Sequence, residues 1–261
     1  MTKRKENNKE IAIVTAFFDI GRGEIGKEYP SYLKRTTKEY FNYFSNLATL
    51  KNEMIVFTSK EYKDKIIEMR KDNPTKVIVV DLKKKFRRQI KAIRKIQENK
   101  DFQNKINKDM IVNIEYWSPE YVLVNNIKTY FVNYAIKKNL VLKDLVAWVD
   151  FGYIREKEVL NNIKCWKYPF DEEKIHFFTI RKKYKLKKIE DVYNAIFNNT
   201  VYIIGGSIVG SPKKWCNFYK LLRENQNELL RQNIIDDDQG LYMMSIFKNP
   251  SLFKLNYLGK D

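Results

Sequence analysis

The run Ile11-Ala12-Ile13-Val14-Thr15-Ala16-Phe17-Phe18, followed at once by Asp19-Ile20-Gly21-Arg22-Gly23-Glu24, decides the architecture. Its first eight residues are apolar apart from one threonine, and they do not alternate. A strand wet on one face alternates, whereas a strand covered on both faces reads as a continuous run. The run ends abruptly in an acid and two glycines, so the strand opens into a loop. Gly21 and Gly23 permit a tight turn or a close backbone approach. Arg22 between them can pair bidentately with a phosphate. A surface turn with a solvated arginine has the same sequence, and the pattern alone does not separate the two.

Working outward, similar runs recur at 54–59, 76–82, 110–116, 145–151, 175–180 and 200–204. Helical spacing fills the gaps. Residues 31–50 carry Tyr40, Phe41, Phe44 and Leu47 on one side, and Phe86, Ile90 and Ile93 mark one face of a very basic helix. Ser118-Pro119-Glu120 supplies a cap, a first-turn proline and a first-turn acid. Leu123, Ile127, Tyr130 and Tyr134 follow as its buried stripe. Ser211-Pro212 starts another helix, with Trp215, Phe218, Leu222 and Leu229 along one side, and Asp236 to Asp238 can cap a last one running through Met244. Strands alternating with helices predict an α/β fold, a mostly parallel twisted sheet covered by helices on both faces. Residues 1–10 read as a disordered lead-in, 11–261 as one domain, and the last twelve residues as an irregular tail packed on the body.

The bulk numbers narrow the function. A chain of 261 residues with 44% apolar and 14% aromatic side chains can bury a full core without staples. Two cysteines, Cys165 and Cys216, form no disulfide framework. No apolar run approaches the roughly 20 residues of a membrane span, and the N-terminus lacks a signal-peptide pattern, so a cytoplasmic protein is expected. Fifty basic residues against 32 acidic ones give a net charge of +18. Such an excess points to an anionic partner: nucleic acid, a membrane face or a phosphorylated substrate.

Open α/β sheets bind ligands at the carboxyl ends of their strands, and the residues there are suggestive. Trp148-Val149-Asp150-Phe151-Gly152-Tyr153 places an acid at a strand end, where a carboxylate can hold a metal or a ribose hydroxyl, or simply cap a turn. Asp-Phe-Gly also occurs in kinases, but no His-Arg-Asp loop or glycine-rich phosphate loop accompanies it here. Ile203-Ile204-Gly205-Gly206 reads as a strand ending in paired glycines, against which a sugar or pyrophosphate can lie; a glycine-rich hairpin is the bland alternative. Asp236-Asp237-Asp238-Gln239 gathers carboxylates that raise one another's pKa, attract a cation, or cap a helix. His176 is the sole histidine, and a Cys/His zinc site is excluded by the inventory.

Together these segments resemble the HtrL/YibB family of bacterial proteins. The resemblance runs from about Ile11 to Phe247. It rests on Thr15 to Gly23, Asn52 to Thr58, Ser118 to Tyr121 with Asn125 and Lys128, Ala147 to Tyr153, Gly205-Gly206 and Asp237-Asp238-Gln239. The family is generally placed among GT-A-like glycosyltransferases of surface-polysaccharide and lipooligosaccharide loci. The resemblance therefore implies a GT-A-like domain transferring a sugar from a nucleotide-diphosphate donor, UDP-linked by preference, to a glycan hydroxyl. Thr15, Ala16 and Phe17 would hold the nucleotide, with Asp19 and Arg22 at the pocket edge. Asn125 and Lys128 would face the diphosphate or sugar. Asp150, followed by Phe151 and Gly152, would take the place of the metal-binding acid, with Gly152 also substrate-binding, and Gly205 and Gly206 would flank the donor sugar and acceptor. Asp237 or Asp238 would be the catalytic carboxylate, with Gln239 beside it.

One departure stands out: the usual Asp-x-Asp motif lacks its second acid here. Mn²⁺ or Mg²⁺ on Asp150 is the implied cofactor, helped by a carboxylate from 236–238 or by His176. A basic clamp on the leaving diphosphate is the metal-free version. The implied acceptor is lipid-linked or oligosaccharidic. The basic runs 83–88 and 181–188 suit a peripheral contact with the anionic inner face of the inner membrane. A basic single-strand-binding protein and an inactive scaffold of the same family are the competing readings, and no nucleic-acid reader motif supports the first.

Overall fold

The computed structural model describes residues 9–259. Among these described residues seven strands form one sheet: β1 (Ile11–Phe17), β2 (Met54–Thr58), β3 (Thr75–Val79), β4 (Leu145–Val149), β5 (Ile175–Thr179), β6 (Ile203–Gly210) and β7 (Phe253–Tyr257). Their order is β3-β2-β1-β4-β6-β5-β7. All neighbours run parallel except β4–β6 and β6–β5, so β6 alone points the other way. Among the described residues ten α-helices surround the sheet: α1 (Thr37–Leu47), α2 (Lys63–Met69), α3 (Leu82–Lys85), α4 (Arg87–Gln97), α5 (Lys100–Gln103), α6 (Pro119–Asn126), α7 (Lys128–Lys137), α8 (Ile189–Phe197), α9 (Pro212–Arg231) and α10 (Gln239–Lys248).

The continuous runs are buried on both faces, as their composition requires. Along β1, Val14 and Ala16 face one layer, with Phe57, Phe131, Trp148 and Phe218. Ile11, Ile13 and Phe17 face the other, with Phe41, Phe44, Leu47 and Ile66. Helices α1 and α2 cover that second face together with the segment bearing Trp166 and Phe170. The remaining helices cover the first. This is the mostly parallel α/β sheet, helix-covered on both faces, that the pattern and the GT-A-like resemblance imply.

Four local expectations need correction. Residues 110–116 form turns and a single 3-10 turn (Ile114–Tyr116), with Ile111 and Val112 exposed. Asparagines 107 and 113 close local backbone turns there, with Met110 N–H donating to the Asn107 carbonyl and Asn113 N–H to that of Met110. The first helix begins only at Thr37, where Thr36 and Glu39 form a reciprocal capping box. The strand placed at 200–204 instead runs through both glycines to Gly210, pairing Ser207 with Val149. The supposed irregular tail is β7, parallel to β5. Of the expected lead-in, residues 1–8 lie outside the described residues. Lys9 pairs with Glu172, and Glu10 bridges Lys167.

Candidate active site

A cleft of about 910 Å³ opens at the carboxyl ends of β1 and β4. Among the residues named from sequence, Ala16, Phe17, Asp19, Arg22, Asn125, Lys128, Asp150 and Gly152 line it. Thr15 does not: it is wholly buried in β1 and its hydroxyl finds no partner among the described residues.

Strand β4 builds the floor. Trp148 and Asp150 are two residues apart, so they share a face. The Trp148 indole N–H donates to Asp150 Oδ1 at 2.7 Å. Lys128 opens α7 and is almost completely buried, with 3% of its side chain exposed. Its ammonium lies 3.2 Å from Asp150 Oδ1 and 2.9 Å from Asp238 Oδ2, and donates to the Gly205 carbonyl at 3.1 Å. Three donors thus meet three acceptors. Burial alone would lower the Lys128 pKa, but the charges of Asp150 and Asp238 outweigh it and carry the pKa well above its ordinary value. The side chain stays charged.

Gly205 and Gly206 serve close approach within a continuing strand, where the sequence reading had the strand end. A methyl on Gly205 would sit 2.3 Å from Asp238 Oδ2, and one on Gly206 2.5 Å from the Tyr153 ring. The backbone amide of Asp150 donates to the Gly206 carbonyl at 2.8 Å, which ties β6 to the strand end.

The acidic turn before α10 lies behind this floor. Asp236 Oδ2 accepts from the Gly240 amide at 2.6 Å and so caps α10. Asp237 accepts from the Asp238 amide at 2.5 Å. Neither Asp237 nor Asp238 lines the cleft; Asp238 reaches it through Lys128. Gln239 is buried and hydrogen-bonds the Ile203 backbone at both ends of its amide, a structural clasp between α10 and β6. Burial, then the charge of Asp238, pushes the Asp237 pKa up to about 7. Glu115, which the sequence reading did not single out, is buried nearby, with Oε1 unpartnered among the described residues. Burial and then Asp237 push it up to about 8.

Guanidinium groups form the opposite wall. Arg22 donates to the Tyr40 hydroxyl at 2.9 Å and to the Leu33 carbonyl, and lies over the Tyr121 ring at 5.5 Å. Two of its five N–H groups are left over. Arg35 stacks on Tyr40, and Arg155 also lines the cleft. Asp19 accepts from Thr37 and from the Gly21 amide. Burial favours its neutral form, but these bonds prevail and hold its pKa below the usual carboxylate value. Asn125 lines the cleft, with its amide nitrogen bonded to the Tyr121 carbonyl. Phe17 stacks on Phe151 within an aromatic cluster.

The residues present do not fit the implied divalent ion. The indole N–H and the Lys128 ammonium already occupy Asp150 Oδ1, and an ammonium 3.2 Å away repels a second cation. Among the described residues no three acidic, histidine or cysteine side chains converge on a metal position. His176, the other suggested ligand, is buried in β5, bonded to the Asp171 carbonyl at 3.0 Å and packed on Phe170, away from the cleft. Burial lowers its pKa and keeps it neutral.

With this geometry in hand, relatives can be placed. The family profile described as "Bacterial protein of unknown function (HtrL_YibB)" matches residues 9–260. The chain belongs to the HtrL/YibB family. It is 50% identical over 250 residues to Protein HtrL of Escherichia coli (strain K12), covering 95% of this chain and 88% of that one. Solved structures with a similar course include the inositol-1-phosphate CTP transferase from T. maritima, with a TM-score of 0.48 and 9% identity over 97% of this chain and 87% of that chain. Mouse xyloside xylosyltransferase 1 in its apo form gives 0.43 and 8% over 94% and 84% respectively. No helix of the described residues is long and apolar enough to cross a membrane.

Proposed function

We propose that this chain is a nucleotide-sugar-dependent glycosyltransferase that uses fixed side-chain cations in place of a metal. The observation that carries the reading is the Lys128 ammonium held between Asp150 and Asp238 at the floor of a cleft walled by Arg22 and Arg35. When a sugar leaves a nucleotide diphosphate, positive charge grows on the ring and negative charge on the departing phosphates. The two must be met in different places. Arg22, with spare N–H groups, and Arg35 and Arg155 meet the diphosphate. Asp150, 39% exposed, offers its carboxylate to sugar hydroxyls. Lys128 fixes the spacing between that carboxylate and Asp238, so both are oriented before substrate arrives. Asp238 acts from behind the floor by holding Lys128, and Asp237 braces it by accepting from the Asp238 amide. The base and ribose rest against Ala16, Phe17 and Phe18, with UDP the favoured nucleotide. A lipid-linked or oligosaccharide hydroxyl is the acceptor.

A thermal-shift panel of UDP, GDP, CDP, CMP and TDP, each with and without Mn²⁺, tests this. Ligand at about 100 times its dissociation constant stabilises the native state by about 2.7 kcal/mol. The expected result is a shift with one nucleotide, indifferent to Mn²⁺ and lost in Arg22→Ala. A shift that requires Mn²⁺ would overturn the fixed-cation mechanism, and no shift with any nucleotide would overturn the transferase reading.

A further inference from the structure

The helices α3 and α4 carry a charge far beyond what the fold needs. Over 81–101 there are nine lysines and arginines against three acids. All nine are exposed, while Leu82, Phe86, Ile90, Ile93 and Ile96 point inward. Only Arg94 pairs with an acid, Glu120, among the described residues. Grooves flank the pair on both sides. One, of about 400 Å³, runs between α4, α7 and α9, with Ile93, Ile127, Leu230 and Ile234 in its walls and Arg88 and Arg223 among its lining residues. The other, of about 360 Å³, lies beside β3, with Ile78, Val80 and Tyr134 lining it together with Lys84 and Lys85. Apolar slots beside fixed cations are the complement of an anionic amphiphile, not of a water-soluble anion.

We infer that the α3–α4 face, with its two flanking grooves, docks the protein on an anionic phospholipid leaflet. Phosphate head groups meet Lys84, Lys85 and Arg88, and acyl-chain ends enter the grooves. Nucleic acid suits the face less well, since no aromatic ring on 81–103 is exposed as a stacking platform. The position of the face gives docking a consequence. Strand β3 runs parallel to β1, so α3 leaves the same carboxyl end of the sheet at which the cleft opens. Lys83 is close enough to Asp19 at the cleft wall to lower its pKa. Docking therefore brings the cleft to the lipid surface, where a lipid-linked acceptor resides. Only this consequence rests on the transferase reading.

The experiment is co-sedimentation of the full chain with vesicles of phosphatidylcholine alone or mixed with phosphatidylglycerol, with the nucleotide thermal shift read in parallel. Binding is expected on the anionic vesicles only, and should weaken as salt rises. Each basic residue contributes about fivefold to partitioning at an anionic leaflet. The triple variant Lys84→Gln, Lys85→Gln, Arg88→Gln should thus bind about a hundredfold more weakly, with its melting temperature confirming the fold. Ala92→Trp, which fills the groove beside α4 without altering charge, should lose binding of monomeric lysophosphatidylglycerol. Vesicle binding that is absent, or unchanged in the triple variant, overturns the docking face. Tighter binding to a single-stranded oligonucleotide than to anionic vesicles at physiological salt does so too. Unchanged lysolipid binding in Ala92→Trp overturns the role of the grooves. A nucleotide shift without vesicle binding would sink docking alone, and the converse would sink the transferase reading alone.

Discussion

Replacing Lys128 by methionine keeps the length and apolar stem of the side chain and removes only its charge. The variant leaves Asp238, which is buried, and Asp150 facing each other without the ammonium 2.9 and 3.2 Å away, and strips a donor from the Gly205 carbonyl. Removing one partner of a buried ion pair costs about 3–5 kcal/mol, because a buried charge is left uncompensated. For a domain of this size each kcal/mol is about 2–4 °C, so the melting temperature should fall by about 6–20 °C. The pH dependence identifies the cause. The Lys128 pKa is raised above 10.5, so its stabilising contribution is fully present below that pH and constant between pH 5 and 8. In the variant the stranded carboxylates can take up protons instead. The gap between wild type and variant should therefore narrow as pH falls from 8 to 5. Adding Asp238→Asn should recover part of the loss at pH 8, a coupling measurable by a double-mutant cycle. A loss below about 1 kcal/mol, a gap that widens toward pH 5, or strict additivity of the two changes would refute the reasoning. Chemical denaturation at each pH is the assay.

Other expectations follow from the same site. Asp237 and Glu115 have folded-state pKa values raised to about 7 and about 8. Between about pH 4 and these values the native state holds protons that the unfolded chain has released, so the two groups lower stability as pH rises through this window. Glu115→Gln should remove part of that slope and melt higher than wild type at pH 8; equal slopes in a pair of thermal melts would contradict this. Gly205→Ala drives a methyl onto the Asp238 carboxylate within the Lys128 constellation, and overpacking of this kind costs about 1–3 kcal/mol. Gly206→Ala meets instead the ring of Tyr153, a side chain 40% exposed and not a buried carboxylate, so its cost should be smaller. The reverse order in urea titrations would show that the clash geometry is misjudged. Arg22→Ala should weaken nucleotide binding with little change in the melting temperature of the free protein, since Arg22 bonds only at the cleft wall; a large loss of stability would recast it as structural.

Much of this architecture was legible before any coordinates. The largely apolar runs at β1, β2, β4 and β5 read as strands covered on both faces, and Ser118-Pro119 and Ser211-Pro212 mark helix starts that the fold keeps. The errors share one physical origin. Residues 110–116 are apolar enough for a strand but pair with neither edge of the sheet, and local backbone turns take up their hydrogen bonds instead. Glycine is read as a breaker when its surroundings are unknown. At Gly205 and Gly206 it is a continuing strand that has to let a carboxylate and a ring approach its backbone. Strand β7 is short and follows a proline, and only pairing with β5 makes it regular.

The candidate site was legible in its parts but not in its join. Position 150 and the acids at 236–238 stood out singly, and the second acid of an Asp-x-Asp motif seemed missing. The fold brings a second acid, Asp238, beside Asp150 from elsewhere in the chain, with Lys128 between them. Strand β6 lies antiparallel beside β4, α10 starts against β6 through the Gln239 clasp, and Asp238 is thereby carried over Gly205 toward Asp150. Two carboxylates brought this close repel unless a cation stands between them. A divalent ion would serve, and so does an ammonium delivered by the first residue of α7. Burial, with an acceptor for each N–H, makes this ammonium a permanent part of the floor. An ion drawn from solution would leave with its chelator, whereas this charge cannot. On the fixed-cation reading proposed above, the electrostatics of the cleft are set on folding and not by metal supply.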